Sequence, residues 1–326
     1  MSIYRNAVWF LKGRQEYTKN GYEAAAKHFA QADLEVDLSG RSYMITGANS
    51  GIGKSTAKEI AQRGGTVHMI CRNKDRAEAA KGEIVEQTKN DNVHIHIVDL
   101  SSARQVWEFA QNFSKHNTLH VLINNACIMT SPRELTEEGL EKNFATNVLG
   151  TYILTTALIP ALEQVESPRV VTVSSGGMLT QKLNAEDIQF EKGTFDSLMA
   201  YSQNKRQQVI LSERWAAQYK KIHFSSMHPG WVDTPGSRTS VPSFHAKMLS
   251  NMRTAAMGAD TVVWLAVSAA AAKQPSGLFF QDRKAVGTHL PLASTRSTPQ
   301  EEEKLLAAVE ELALKFKPNK EQQYRH

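Results

Sequence analysis

The strongest constraint on the fold is a glycine-rich stretch that directly follows a short apolar segment. Residues 42–46 read SYMIT, and the overlapping motif TGANSGIG at 46–53 precedes a helical pattern that opens at Lys54. Glycines in a strand-to-helix turn let the backbone approach a pyrophosphate, and the helix N-terminus adds free N–H groups and a partial positive charge. The stretch therefore predicts a nucleotide-binding turn, with a purely structural turn as the alternative.

The rest of the chain alternates short apolar runs with helical stretches, which is typical of βαβ units around a parallel sheet. Strands are predicted at residues 42–46, 66–71, 93–98, 121–124, 169–174, 223–228 and 277–281. Helices are predicted at residues 54–63, 74–89, 103–113, 140–163, 199–219 and 258–270. This order predicts an α/β protein with a Rossmann-like, doubly wound, seven-stranded parallel sheet.

The pattern divides the chain into a main domain and two extensions. We expect an amphipathic helical extension at 1–38, the main domain at 39–290, and a helix and tail at 291–326 whose last residues, 317–326, are frayed. Near the start, Trp9 and Phe10 lie among Arg5, Lys12 and Arg14. These rings either pack on the main domain or place the segment on a membrane surface.

The composition excludes several classes of protein. The chain has 38 Lys and Arg against 33 Asp and Glu, a net charge of +5, and this bias is too small to predict nucleic-acid binding. Cys71 and Cys127 lack the paired spacing of a metal site, so we expect no metal and two free thiols in a reducing compartment. No run of roughly 18 apolar residues occurs, so no membrane-spanning helix is expected.

These features predict a location in the cytoplasm or on the surface of an intracellular membrane, with peripheral contact through residues 1–30. This segment lacks the apolar core and cleavage site of a secretory signal. A mitochondrial location is less well supported, because the segment is poor in serine and carries Glu16 and Glu23.

A second motif carries chemistry. Tyr201 and Lys205 form Tyr-x-x-x-Lys, a spacing that puts both side chains on one face of a helix. A free tyrosine has a pKa of about 10 and is a poor base near neutrality, but an adjacent ammonium group favours the phenolate and lowers that pKa. Ser175 follows the fifth predicted strand, where open α/β sheets place their sites. Ser174 is the competing candidate.

Together these motifs resemble the short-chain dehydrogenase/reductase family, whose glycine motif is spaced TGxxxGxG as it is here, and the resemblance covers residues 38–290. It implies that Tyr201 exchanges a proton with the substrate oxygen and that Lys205 also reaches the nicotinamide ribose. Ser175, which matches the second serine of the family pair, would bind the substrate oxygen, and Asn147 would hold a water in the proton relay. Within the family, the chain is similar to reductases related to retinol and steroid dehydrogenases.

The end of the second predicted strand indicates the cofactor. Arg72 stands where NAD-specific enzymes carry an acidic residue on the ribose 2′-hydroxyl. A guanidinium there matches a 2′-phosphate bidentately, and Asn49 and Lys54 are close enough in sequence to add contacts. NADP(H) is therefore predicted over NAD, with a solvated surface charge as the alternative for Arg72.

The resemblance implies the remaining cofactor contacts. Asp99 would contact the adenine ring, with a helix N-cap as its alternative role, and Asn125 would line the nucleotide. Cys127 stands where glycine is usual, a departure that affects only the local backbone. The expected cofactor-binding residues are Gly47, Asn49, Ser50, Gly51, Ile52, Gly53, Arg72, Asp99, Asn125, Tyr201, Lys205, Pro229, Gly230, Val232 and Thr234.

Two further segments resemble parts that surround the substrate in the family. Residues 228–235 resemble the loop that folds over the nicotinamide, with Thr234 and the backbone near Val232 in contact with the carboxamide and pyrophosphate region. Residues 237–252 contain several apolar side chains and suit a substrate lid. Their composition favours an apolar carbonyl or alcohol, such as a steroid, a retinoid or a lipid-derived compound.

The predicted function is NADP(H)-dependent interconversion of a carbonyl and an alcohol by hydride transfer. The alternative is a nucleotide-binding scaffold with little or no activity, because a fold by itself does not imply function. The intact set of Asn147, Ser175, Tyr201 and Lys205 favours the enzyme. The resemblance also implies a homo-oligomer, paired through the long predicted helices.

Overall fold

Buried apolar strands form a single sheet at the centre of the fold. The computed structural model describes residues 3–318. The strands are β1 Ser42–Thr46, β2 Thr66–Cys71, β3 Val93–Ile97, β4 Val121–Asn124, β5 Arg169–Val173, β6 His223–Met227, β7 Phe279–Gln281 and β8 Lys284–Ala285. Their order in the sheet is β3, β2, β1, β4, β5, β6, β7, β8. The reversal of strand order beside β1 is the topological switch point of a doubly wound fold.

The first seven strands run parallel, as the sequence predicts. The eighth strand pairs antiparallel with β7 through Phe280 and Ala285 and was not predicted. It exists because Asp282 and Arg283 adopt positive φ angles of 49° and 57° and fold the chain back. A two-residue strand of this kind is too short to leave a hydrophobic period in the sequence.

Helices cover both faces of the sheet and form the two terminal extensions. They are α1 Ile3–Glu16, α2 Lys19–Ala26, α3 Gly51–Gln62, α4 Lys74–Thr88, α5 Ala103–His116, α6 Lys142–Phe144, α7 Gly150–Leu162, α8 Ser197–Gln218, α9 Pro235–Ser240, α10 Pro242–Met248, α11 Ala255–Val267, α12 Ala269–Ala272 and α13 Pro299–Lys315. The helix predicted at 140–163 is interrupted by a π-helical segment, Ala145–Leu149, between α6 and α7.

Alternating side chains of the strands fill two separate cores. In β1, Met44 packs with helices α5, α7 and α8 on one face, whereas Tyr43 and Ile45 pack with α3 and α11 on the other. All five residues of β1 and of β5 are buried, as expected for strands covered on both faces. The carboxyl ends of the parallel strands therefore meet at one sheet edge, where the candidate site lies.

The segment Lys142–Leu162 is long and apolar enough to cross a bilayer by length and composition. In the fold, however, 78% of its most apolar stretch is buried inside the protein. This burial is what a core helix requires, because the side chains of α7 fill the space between the sheet, α5 and α8.

The C-terminal helix docks on the main domain, as its apolar stripe predicts. Leu305, Val309 and Ala313 are buried in the core that contains α7 and α8, and the Trp107 indole donates to the Ala313 carbonyl at 2.8 Å. Helix α13 therefore covers part of the surface formed by the two helices on which homo-oligomer pairing was predicted. The expected frayed tail lies mostly outside the described residues.

Candidate active site

The glycine turn after β1 requires glycine at specific positions. Gly51 opens α3 with a φ of 52°, and a Cβ on it would lie 3.0 Å from the Thr234 methyl carbon. A Cβ on Gly53 would overlap the Gly47 carbonyl oxygen and the Asn125 side-chain nitrogen. The turn is therefore held in a conformation that leaves the N-terminus of α3 open toward the sheet edge.

The N-terminus of α3 differs from those of its neighbours in its capping. Ser50 makes no side-chain hydrogen bond to the first turn of α3. Other helices are capped by a side-chain oxygen, from Thr18, Asn73, Ser102, Asp196, Thr254 and Thr298. Because helix N-termini attract anions, the free N–H groups of α3 fit the phosphates of a dinucleotide, which Gly47, Asn49, Ser50, Gly51, Ile52 and Gly53 are predicted to hold.

Asn125 joins the glycine turn to β4. Its backbone N–H and that of Ala126 both donate to the Thr46 hydroxyl at 2.9 Å. Its side-chain amide donates to the Thr46 carbonyl at 2.9 Å. Asn125 therefore lies beside the turn, as a nucleotide-lining residue must, and it also fixes the position of the turn.

Arg72 is exposed directly after β2, the strand that pairs with β1. Lys54, which was considered as a second contact, forms an ion pair with Glu83 of α4 instead. Asp99 accepts hydrogen bonds from the backbone and the hydroxyl of Ser101, at 2.9 and 2.8 Å. The alternative role of Asp99 as the N-cap is wrong, because the residue that caps α5 is Ser102.

The predicted reacting side chains meet at the carboxyl end of β5. Ser175 lies close enough to Tyr201 to lower the pKa of the phenol, and the Lys205 ammonium lies 5.6 Å from the centre of the Tyr201 ring. Lys205 is buried, and its ammonium donates to the Val173 carbonyl at 2.8 Å. The Ser174 hydroxyl is committed to the Lys205 carbonyl at 2.9 Å, which leaves Ser175 as the serine that faces Tyr201.

Burial sets the charge states of this pair. It raises the pKa of the Tyr201 phenol, Cys127 raises it further, and only the hydrogen bond with Ser175 lowers it. Burial also lowers the pKa of Lys205. No lowering contribution from Lys205 is seen in this arrangement, because desolvation dominates and the ammonium is turned toward Val173. Tyr201 therefore holds its proton at neutral pH. That Lys205 lowers the Tyr201 pKa beside a bound oxidised cofactor stays a prediction.

Asn147 lies within the π-helical segment. Its side chain accepts from the Ile128 N–H and donates to the Ile128 carbonyl, both at 2.8 Å. Its own backbone carbonyl accepts from the Gln208 amide at 2.6 Å, and Gln208 in turn accepts from Lys205 at 3.1 Å. Gln208 thus joins Asn147 to Lys205. The sequence analysis missed this residue, although its spacing of three from Lys205 places it on the same helix face.

The loop after β6 reaches from the reacting side chains to the glycine turn. Pro229 and Gly230 follow β6, Gly230 has a φ of 84°, and the Val232 backbone bridges to that of Arg253. Thr234 ends the loop by capping α9 with its hydroxyl, at 3.1 Å from the Ser237 N–H. Its methyl group faces Gly51.

The predicted lid consists of α9, α10 and a short 3-10 turn, Leu249–Asn251. Asp233 connects it to the loop by accepting from Arg238 at 2.8 Å and pairing with His245 at 2.9 Å. These hydrogen bonds lower the pKa of Asp233 to about 2. Phe244 and Met248 pack on Trp231 of the loop, so apolar contacts join the lid to the loop.

The N-terminal extension packs against this loop. The rings of Trp9 and Phe10 lie 5.6 and 5.9 Å from that of Trp231, in agreement with the prediction that they pack on the main domain. Tyr17 is fully buried, with its ring edge-on to His228 at 4.2 Å. Their partners on the main domain could not be predicted, since they lie more than two hundred positions away in the chain.

The fold and the site define the class of protein. A doubly wound parallel sheet with an uncapped glycine turn after β1 is a dinucleotide-binding arrangement, and hydroxyl and ammonium groups at the ends of the same strands provide for proton transfer. The short chain dehydrogenase family model matches residues 41–243. The chain belongs to this family and is an oxidoreductase with an NAD(P)-binding fold.

Curated relatives support the same assignment. The chain is 62% identical to dehydrogenase/reductase SDR family member 12 of Bos taurus, over 97% of this chain and 100% of that protein. It is 36% identical to retinol dehydrogenase 12 of Mus musculus, over 63% of this chain and 66% of that protein. These similarities confirm the predicted family.

Solved structures share the architecture. An uncharacterized protein from Mycobacterium Paratuberculosis is 30% identical and has a TM-score of 0.69, with 88% of this chain and 97% of that chain covered. The 3-ketoacyl-(acyl-carrier-protein) reductase from Brucella melitensis, solved with NADH, is 25% identical with a TM-score of 0.59, over 74% and 96% of the two chains. The predicted fold class is therefore confirmed, with one additional strand.

Proposed function

We propose that this protein is an NADP(H)-dependent reductase that converts an apolar carbonyl compound into its alcohol. The observation that carries the proposal is the grouping of Ser175 and Tyr201 with the Lys205 ammonium at the carboxyl end of β5. The pair lies at the same sheet edge as the open N-terminus of α3. A substrate oxygen placed between these hydroxyls is within reach of both a proton donor and a second hydrogen bond.

The side chains act in a defined order. Ser175 donates a hydrogen bond to the substrate oxygen and holds the carbonyl carbon toward the cofactor. The bound cofactor supplies the hydride to that carbon. Tyr201, which burial keeps protonated, gives its proton to the oxygen, and the alcohol forms. Gln208 accepts from the Lys205 ammonium and donates to the Asn147 carbonyl, so these groups hold Lys205 beside Tyr201. A water held at Asn147 would return the proton to the phenol.

Arg72 supports NADP(H) as the cofactor. Its exposed guanidinium at the end of β2 is free to meet a ribose 2′-phosphate bidentately, whereas an acidic residue there would repel it. Asp99 stands at the end of β3, where it would contact the adenine ring. NAD(H) is the second candidate.

The apolar character of the loop and lid supports an apolar substrate. Trp231, Phe244, Met248 and Met252 form one aromatic and thioether cluster beside the loop. Met side chains adapt to irregular apolar shapes, which suits a steroid, a retinoid or a lipid-derived carbonyl. A relative named as a retinol dehydrogenase is consistent with this class.

Peripheral membrane contact remains our proposal for residues 1–30, but through different side chains. Trp9 and Phe10 face the protein, whereas Ile3 and Leu11 are 89% and 67% exposed on α1 beside basic side chains. Such a helix face suits a membrane surface. Comparing membrane-bound fractions of wild type and an Ile3→Ser, Leu11→Ser variant tests this, and equal fractions would contradict it.

We retain the three-part division at residues 38 and 290, and a homo-oligomer paired outside the surface that α13 covers. In this arrangement the extensions are built onto one catalytic domain. Sedimentation of the purified full chain tests the oligomer, and a single monomeric species would contradict it.

The enzyme is tested by NADPH oxidation with a panel of apolar aldehydes and ketones. We expect turnover by the wild type and a loss of about 10²- to 10⁴-fold in Tyr201→Phe, with NADPH binding retained. Tyr152→Phe, which removes the hydroxyl of a partly buried tyrosine in α7, is the matched control and should remain active. NADPH binding without turnover of any compound by the wild type would instead favour the scaffold.

A further inference from the structure

Arg253 lies at the junction of the N-terminal extension, the loop after β6 and the β7–β8 turn, and its guanidinium is fully hydrogen-bonded. Its side chain is 1% exposed and forms an ion pair with Asp282. All five of its N–H donors are occupied. The acceptors are both carboxylate oxygens of Asp282, at 2.6 and 2.9 Å, and the carbonyls of Glu16, Thr18 and Pro229, at 2.6, 3.2 and 3.2 Å.

The acceptors of Arg253 join parts of the chain that are distant in sequence. Glu16 and Thr18 flank the junction of α1 and α2, and Pro229 begins the loop that ends at Thr234. Gly230 must lack a side chain, because a Cβ there would overlap the Arg253 guanidinium. The loop therefore takes its course around Arg253, and the extension supplies two of the carbonyls that hold the guanidinium in place.

The loop that Arg253 holds lies over one half of the expected cofactor path. At its end, Thr234 contacts Gly51 of the glycine turn. At its start, the His228 ring accepts from the Gly176 N–H at 2.8 Å, next to Ser175. A cofactor with its phosphates at Gly51 and its reacting carbon near Ser175 must pass under this loop. The adenosine half, toward Arg72, does not.

Tyr17 of the extension reinforces the same end of the loop. Its backbone carbonyl accepts from the Trp231 N–H at 2.8 Å, and its ring packs edge-on against His228. Burial and the Arg253 charge hold the pKa of His228 well below its usual range, so the ring stays neutral and can accept from Gly176. The extension therefore contacts the loop at two residues, His228 and Trp231.

We propose that Arg253 is a positioning residue for the nicotinamide half of the cofactor, and that the N-terminal extension is part of the active site through it. This inference rests on the proposed function, because it requires a bound nicotinamide cofactor. The inference goes further because it assigns a role to the extension. It also predicts that only binding of the nicotinamide half of the cofactor depends on Arg253 and the extension.

A second arginine provides a matched control. Arg283 also forms a bidentate pair, with Asp260 at 2.8 and 2.6 Å, and it also binds the extension, through the Ala30 carbonyl at 3.3 Å and the Phe29 ring. Its hydrogen bonds go to Asp260 and Ala30 rather than to the loop. Replacing it perturbs the docking of the extension without touching Pro229 or Gly230.

The experiment compares Arg253→Lys with Arg283→Lys. Each folded protein is titrated with NADPH, followed by nicotinamide fluorescence, and with adenosine 2′,5′-bisphosphate, which represents the adenosine half alone. We expect Arg253→Lys to raise the Kd for NADPH about tenfold or more, because small displacements of positioning groups have effects of this order. Its Kd for the bisphosphate should stay within about twofold of the wild type, and Arg283→Lys should leave both values unchanged.

Two results would overturn the inference. Equal weakening of NADPH and the bisphosphate by Arg253→Lys would mean general damage to the fold, and equal weakening of NADPH by both variants would mean that extension docking alone matters. If Arg253→Lys does not fold, Asp282→Asn and its matched control Asp260→Asn replace the pair with the same expectations. Failure of the wild type to bind either NADPH or NADH would instead refute the proposed function.

Discussion

The two halves of the cofactor site are constructed differently. The adenosine and phosphate half uses residues that lie close together in the sequence, in the turn from Thr46 to Gly53 and at the ends of β2 and β3. The nicotinamide half combines β5, α8, the loop after β6 and the N-terminal extension, which meet only in the folded chain. Arg253 and Glu16, for example, are 237 positions apart.

The difference concerns where each half gains its rigidity. In the phosphate half, the glycine conformations of one βα unit and the hydrogen bonds of Asn125 to Thr46 hold the turn. In the nicotinamide half, a buried arginine, buried aromatic rings and long-range hydrogen bonds hold a loop that has little regular structure of its own. Substitutions should therefore act locally in the first half and through several elements in the second.

The largest expected effect lies in the nicotinamide half. Ser175→Ala should lower turnover about 10²- to 10³-fold, because it removes a hydrogen bond to the developing alkoxide, while the Kd for NADPH changes little. Ser174→Ala is the matched control, since its buried hydroxyl serves only the Lys205 carbonyl. Steady-state kinetics on both variants decides between the two serines. A larger loss of turnover in Ser174→Ala than in Ser175→Ala would assign the contact with the substrate oxygen to Ser174 instead.

In the phosphate half, Gly53→Ala should weaken NADPH binding by roughly tenfold to a hundredfold. The added Cβ overlaps the Gly47 carbonyl and the Asn125 amide, so the turn must open and misplace its phosphate contacts. Gly82→Ala in α4, where no atom lies within 4 Å of the new Cβ, should bind NADPH as the wild type does. Similar affinities for the two variants would contradict the constraint at Gly53.

Arg72→Glu should change cofactor preference with a smaller effect. We expect NADPH affinity to fall about tenfold, since an exposed charged hydrogen bond lies at the lower end of about 1.5–3 kcal/mol, while NADH affinity is kept or improved. Lys89→Glu, at the other end of α4, controls for net charge. Titration of each variant with both cofactors measures the preference. An unchanged ratio of NADPH to NADH affinity would indicate that Arg72 is a solvated surface charge.

The smallest effect concerns acid stability. Burial and the neighbouring histidines lower the pKa of His68 to about 3, and burial lowers that of His96. Both are neutral in the fold but protonated in the unfolded chain below about pH 6.5. Their stabilising contribution is therefore complete above that pH and is lost as the pH falls, by about 1 kcal/mol for His68 at pH 5.5 and in the same direction for His96.

Urea unfolding at pH 7.5 and 5.5 measures this loss. His68→Gln should reduce the difference in unfolding free energy between the two pH values. It should leave NADPH affinity unchanged, because His68 lies within β2, which supports the phosphate half as part of the sheet. His116→Gln, an exposed histidine, is the control. His228→Gln should weaken NADPH binding, because His228 lies in the nicotinamide half. Equal pH sensitivity in wild type and His68→Gln would contradict the assignment.

Much of the fold follows from local sequence pattern. The seven parallel strands were predicted with ends within two residues of those observed, because each is a buried apolar run between turn residues. Helix starts were less accurate, as at α11, where the cap at Thr254 went unrecognised. The interruption between α6 and α7 was missed because a π-helical segment leaves the side-chain pattern almost unchanged.

The sequence by itself determined the glycine turn, the Tyr201 and Lys205 pair and the family, because these depend on fixed spacings within one element. Only the tertiary structure decided that Gln208 joins Asn147 to Lys205, and that Arg253 and Tyr17 fasten the extension to the loop. Burial likewise decided that Tyr201 keeps its proton. Contacts and desolvation of this kind arise between residues far apart in the chain, where no sequence period records them.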